Sequence, residues 1–233
     1  LGLLVRAGYV VARHNDLETC GGILCGDPFY YSWQAAVLGA GGGVTEIGTG
    51  LPRADHPPVT ALLLAPVSRL AGDVHRVLAQ RLAMALLGVV TVVLVGVLVR
   101  RLAGSTAGLA AAAIAAVNAN LWVNDISVMS ETPATVLVVA TVLAAYRFAD
   151  RPTVARAAQV GLLVGLATLT RGELALLGPL TFAPVALRTA GLSLRHRLGL
   201  VAVAGVVAAG ALVPWMAYNV GRFEHIVLLS TND

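Results

Sequence analysis

The chain has 233 residues, of which 58% are hydrophobic and only 12% charged, with a mean hydropathy of +0.82. Soluble domains carry about 25% charged residues, so this composition excludes a soluble globular protein and specifies an integral membrane one. All sixteen basic residues are arginine, and the net charge of +4 is spread over short polar segments, which argues against a nucleic-acid surface.

Taken in chain order, Leu1 to Val11 is apolar apart from Arg6, and Arg13-His14-Asn15-Asp16 ends it. That is shorter than the ~20 residues of a spanning helix, so residues 1–13 read as the tail of a truncated first span. A first residue Leu1 rather than Met, and a polar stretch stopping at Asp233, predict a fragment of a longer protein. Residues 14–80 read as a long extracytoplasmic loop broken by Gly41-Gly42-Gly43, Pro52, Pro57 and Pro58. Within it, Phe29 to Leu38 and Val59 to Leu70 suit helices lying in the membrane interface. Cys20 and Cys25 have four residues between them, which fits neither a zinc tetrad nor a redox Cys-x-x-Cys pair, and leaves a short disulfide open.

Residues 81–217 then supply about six spans. Arg81 to Val99 comes first; Thr106 to Val123 follows the Gly104-Ser105 break; Pro133 to Phe148 begins with a proline where the first helical position tolerates one. Ala157 to Thr170 and Leu174 to Leu187 are hinged at Arg171-Gly172-Glu173, and Leu198 to Met216 ends at Pro214-Trp215 with interfacial aromatics. Residues 218–233 begin another extracytoplasmic loop. The fold expected is all-α: a polytopic transmembrane helical bundle with interfacial helices in its first outer loop. Alternate loops collect Arg100 and Arg101; Arg147, Arg151 and Arg156; and Arg188, Arg195 and Arg197, so these are the cytoplasmic ones. Every acid except Asp150 then falls on the opposite side.

That one-sided clustering points to chemistry at the outer membrane surface. Asp27 opens the aromatic stretch Asp27-Pro28-Phe29-Tyr30-Tyr31, where a carboxylate serves as an N-cap and equally as a positioned general base. A phosphate-linked sugar needs a cation for the charge that builds on its leaving group, and arginine suits that geometry. The outer candidates are Arg53, Arg69, Arg76, Arg81, Arg171 and Arg222; Arg81 opens a span and Arg171 closes one, the alternative for both being snorkelling to lipid phosphate. His56, beside Asp55, either stiffens the turn into Pro57-Pro58 or binds substrate. Glu131 stands at the mouth of a span with Asn124 and Asp125 nearby, either as a substrate ligand or as a solvated acid beside a Thr132 cap. No spacing supports a metal site from Asp27, Asp55 and His56, and no cofactor is required by the sequence, a divalent metal being left open.

Several stretches together resemble the GT-C polyprenyl-phosphate-sugar glycosyltransferases, especially the protein O-mannosyltransferase and aminoarabinose transferase branch. They are Gly26-Asp27-Pro28-Phe29-Tyr30, His56-Pro57-Pro58, Gln80 to Gly88, Ser130-Glu131-Thr132, Gly161 to Arg171, and Pro214 to Asn219 running on to Asn232. The resemblance implies a GT-C bundle in a bacterial-type plasma membrane. It implies inverting transfer of a hexose or pentose from a polyprenyl-phosphate donor to a protein, lipid or glycan hydroxyl on the extracytoplasmic face. Asp27 matches the family's loop acid, Arg81 a phosphate-binding arginine, and Glu131 an acid at the mouth of a later span. Two departures stand out: Pro28 follows Asp27 where a second acid is common, and Tyr218 precedes Asn219 where arginine is common. The rival class is a transporter or lipid flippase, which would place ionisable groups near the bilayer midplane in repeated halves. A prenyl transferase would need paired aspartates for Mg²⁺, and no Asp-Asp pair occurs.

Overall fold

The computed structural model describes residues 1–13, 19, 20, 23, 24, 26–224 and 226–231, with only the backbone at 13, 19, 20, 23 and 24. The possible Cys20–Cys25 disulfide and the acids Asp16, Glu18 and Asp233 lie outside the residues so described. The chain is an all-α polytopic membrane protein. Its helices are α1 (Gly2–Arg13), α2 (Gly26–Gly39), α3 (Val59–Val117), α4 (Ala119–Asp125), α5 (Glu131–Asp150) and α6 (Val154–Thr168). Beyond these come a 3₁₀ turn (Gly172–Leu176), a π turn (Gly178–Phe182), α7 (Ala183–Leu187) and α8 (Leu194–Asn219). Extended pairing is confined, among the described residues, to a two-residue ladder joining Thr19–Cys20 to Ile23–Leu24 and a single bridge between Thr45 and Pro52. By length and composition α3, α5 and α8 can cross a membrane, and Gly2–Ala12, Val154–Thr168 and Gly172–Leu187 are shorter apolar helices.

Sequence chemistry accounts for where the helices stop. Long α3 is three segments, 59–71, 73–103 and 105–117, separated at Gly72 (φ 66°) and Gly104 (φ 88°), where only glycine adopts the left-handed backbone without strain. The span expected over 106–123 is divided at Asn118: its side chain accepts a hydrogen bond from the Leu121 N–H (3.3 Å) and caps α4. Thr153 and Ser193 cap α6 and α8 in the same way, accepting from the Arg156 and His196 N–H groups. Leu86, Val90, Val93 and Val97 form an exposed stripe on α3. In water such a stripe would be a liability; against lipid it is the required surface.

Two compact units divide the chain, one of residues 1–53 and 59–136, the other of residues 54–58 and 137–233. In the first, α2 packs on α3 around Tyr30, Tyr31, Ala35, Leu64, Met84 and Val128. A side chain at Gly39 would come within 2.6 Å of the Ala65 carbonyl oxygen, so the glycine is what lets the two backbones touch. The second unit is centred on Phe148, Val160, Val164, Phe182, Leu200 and Ala204, with Phe148 and Phe182 edge-to-face at 4.9 Å. There α6 and α8 approach through small residues: Gly161 lies against Ala204, and Gly165 against Ala208 and Ala211. This is the small-xxx-small contact that drives helix association where lipid removes any hydrophobic incentive. Gly165→Val would press its side chain onto the Ala208 carbonyl oxygen, which stands only 2.8 Å from a Cβ at that position. The expected loss is about 1–3 kcal/mol, read as a lower Tm of the purified protein in detergent; an unchanged Tm would mean α6 and α8 do not pack this closely.

Candidate active site

Asp27 falls in the first turn of α2 rather than ahead of it, because the helix takes in Gly26, whose φ of 76° makes the entry. A carboxylate there faces the positive end of the helix. It is half-exposed, while the helix behind it is buried through Tyr30, Tyr31, Ser32, Gln34 and Ala35. Buried Gln80 ties this helix to α3, its Nε2 donating to the Ser32 carbonyl (3.1 Å) and to the Ser68 hydroxyl (2.8 Å). Arg81, the next residue, is 4% exposed and donates its Nε to the Ile126 carbonyl at 2.7 Å. Tyr31 and Met84 share one packed cluster, so Asp27, one helical turn before Tyr31, and Arg81, nearly one before Met84, are carried by elements that meet. Arg53 places its guanidinium over the Tyr30 ring, 5.2 Å from the centroid.

Glu131 is in the first turn of α5, half-exposed, with the Ser130 hydroxyl 3.5 Å from its Oε2. Thr132 does not act as its cap. The Thr132 hydroxyl is buried and donates to Asp125 Oδ1 at 3.0 Å. Asp125 in turn receives the Nε of Arg6 on Oδ2 at 2.6 Å, and Arg6 has no exposed surface at all. Arg6 also donates through Nη1 to the carbonyls of Ala116 (3.0 Å) and Gly2 (3.2 Å), and its Nη2 is buried without a hydrogen-bond partner among the described residues. Sequence reasoning passed over this pair. The available signal was an arginine in the middle of an apolar segment, which a membrane protein keeps only with a partner.

In the second unit, Asp55 Oδ1 accepts from the Thr231 hydroxyl (3.2 Å) and the Ala54 carbonyl from the Thr231 N–H (2.8 Å), while His56 next to them is half-exposed. The 226–231 segment is tied from its other side by Trp215, whose Nε1 donates to the Leu229 carbonyl at 2.8 Å. Trp215 stacks on Tyr218 (5.5 Å), and Arg222 lies over Tyr218 at 4.2 Å while donating to Asn219 Oδ1 at 2.9 Å. A guanidinium therefore reaches Asn219 from three positions downstream, where the residue before it is tyrosine. Arg171 pairs with Glu173 at 2.7 Å, the arginine half-exposed and the glutamate exposed. The Arg171 hydrogen bond holds the Glu173 carboxyl below its usual value, so the pair persists as pH falls until that lowered value is passed. Among the described residues no three His, Cys, Asp or Glu side chains converge as metal ligands.

Apolar helices long enough to cross a membrane, with buried and part-buried arginines and acids among them, define a membrane-embedded protein with polar groups to position. The model of the dolichyl-phosphate-mannose-protein mannosyltransferase family matches residues 55–218, and the chain belongs to that family of membrane glycosyltransferases, which take sugar from a lipid-phosphate donor. No curated protein and no solved structure matches it. Family membership sets the transporter reading aside. One local constraint can be checked directly: a methyl at Gly88 would run into the Asp125 carboxylate and lie 2.7 Å from Arg6 Nε. Gly88→Ala should therefore lower stability by about 1–3 kcal/mol, measured by thermal unfolding; a neutral effect would show that the pair sits farther from α3.

Proposed function

We propose that the protein is part of an inverting glycosyltransferase that moves a hexose or pentose from a polyprenyl-phosphate donor to an acceptor hydroxyl on the extracytoplasmic face of a bacterial-type plasma membrane. The acceptor is a protein, lipid or glycan, and the branch is that of the protein O-mannosyltransferases and aminoarabinose transferases. The reading rests on Asp27: a half-exposed carboxylate at the head of a helix whose body is buried against the element bearing Arg81. Asp27 takes the proton of the acceptor hydroxyl as its oxygen attacks the anomeric carbon from the face opposite the phosphate. The glycosidic C–O bond breaks, and its electron pair leaves on the polyprenyl phosphate. A phosphate monoester needs no protonation to depart, so one carboxylate suffices where inverting glycosidases use two. The donor phosphate is assigned to Arg81, which is buried and fixed, or to Arg171, which is half-exposed and shared with Glu173. His56, Asp55 and Glu131 are assigned to substrate hydroxyls. The sequence requires no cofactor, and a divalent metal is left open, with no residue assigned to it.

Asp27→Asn keeps the side chain's shape and gives up only the attraction of a carboxylate to the helix N-terminus, about 0.3–1 kcal/mol, so the full-length variant should still fold and should lose turnover by roughly 10²–10⁴. Wild-type turnover in that variant would leave Asp27 a structural residue. Topology is separately open to labelling. Thr49 is exposed in the 40–58 segment, and Thr49→Cys, in a background lacking Cys20 and Cys25, should react with an impermeant thiol reagent in intact cells. Protection at that site, with labelling near Arg151, would place the acids in the cytoplasm and end this mechanism.

A further inference from the structure

The turn between α4 and α5 holds a conformation that its own sequence does not favour. Val128 has φ 56°, the one non-glycine residue in the left-handed region among the described residues, and its side chain is fully buried in the cluster with Tyr31 and Met84. A β-branched residue there is strained by about 1–3 kcal/mol, and such strain persists only where the surroundings over-determine it. Here they do so from both sides. Just before the turn, Asp125 is gripped by Arg6 (2.6 Å); just after it, Thr132 donates to the same carboxylate (3.0 Å). One buried acid thus closes a loop of seven residues' separation on itself and ties it to α1.

Two groups assigned to the donor site hang from this closed turn. The Ile126 carbonyl, adjacent to Asp125, receives Arg81 Nε, and Glu131 is adjacent to Thr132. Fixing Nε fixes the plane of a guanidinium and with it the direction of both Nη groups, the property that matters for two-point contact with a phosphate. Arg6 and Asp125, both buried, are assigned no contact with phosphate or sugar; what they hold is the turn whose Ile126 carbonyl receives Arg81. We propose that the buried Arg6–Asp125–Thr132 linkage is the positioning element of the donor site, holding the strained 126–130 turn so that Arg81 is pre-aimed at the donor phosphate. This rests on the assignment of Arg81 to that phosphate.

The test is a double-mutant cycle on the full-length enzyme in nanodiscs, with a polyprenyl phosphate as probe and its affinity read by native mass spectrometry. Asp125→Asn keeps the shape and an acceptor for Thr132 but removes the charge that orders Arg6. It should weaken binding roughly tenfold or more, and Arg81→Gln should do so by a similar or larger factor. Because Asp125 acts through Arg81, the double variant should bind no more weakly than Arg81→Gln alone. Thr132→Val removes one arm of the linkage with little change of shape; it should weaken binding less, with the same dependence on Arg81, and it carries the test if Asp125→Asn fails to fold. Factors that multiply in the double variant would mean that Asp125 acts independently, and the proposal would be overturned. Wild-type binding by both Asp125→Asn and Thr132→Val, with Arg81→Gln impaired, would overturn it while leaving the donor assignment standing. Wild-type binding by Arg81→Gln would remove the donor assignment itself, and the positioning role with it.

Discussion

A guanidinium with no access to solvent cannot be neutralised by losing its proton, so wherever one is buried the surrounding chain has to be built to its geometry. Arg6 is such a group, and four oxygens or near neighbours answer it: the Asp125 carboxylate, the Ala116 and Gly2 carbonyls, and the bare backbone of Gly88 that lets the pair lie against α3. Three separate elements, α1, α3 and α4, are thereby held to one point. Truncating either partner would leave an uncompensated charge, an effect of about 3–5 kcal/mol in known cases.

The two units are assembled by different physics. The first is joined by polar contacts inside an apolar frame, Gln80 to Ser32 and Ser68, Arg81 to Ile126, Arg6 to Asp125. The second relies on shape, with Gly161 and Gly165 admitting the alanines of α8 and two phenylalanines edge to edge at the centre. Directional bonds hold side chains at fixed angles, whereas close backbone packing tolerates exchange of one small residue for another. It is in keeping with that contrast that Asp27, Arg81 and Glu131 are all carried by the first unit.

Much of the fold was legible because lipid forces a simple code: long apolar runs, arginines between them, glycine and proline at the breaks. Gly104 marked a break that the backbone makes, and residues 172–187 a separate piece after Arg171. Asn118 was passed over because an asparagine within an apolar run gives no warning that its side chain will cap rather than continue a helix. A cap at Thr132 is one of the two settings the sequence allows for Glu131, but the Thr132 hydroxyl turns inward to a carboxylate whose position depends on α1, more than a hundred residues earlier. Likewise Asp125 looked like one more acid in an outer loop. No periodicity or spacing encodes which of several acids will meet a distant arginine, and the left-handed Val128 follows from that meeting rather than from any local preference.

The two glycine breaks of α3 also fix a vertical scale. The segment between them, 73–103, is ~46 Å long at 1.5 Å per residue, about 16 Å more than a hydrocarbon core of ~30 Å. Residues 82–99 bear no charge and account for ~27 Å of it, so Arg81 and Arg100 fall at opposite edges of the oil and the surplus stands in water at both ends. A helix so anchored can tilt but cannot slide without dragging a guanidinium inward. The length of the uncharged run thus ties the depth of Arg81 to that of Arg100 across the whole bilayer, and membrane thickness becomes a variable that bears on both.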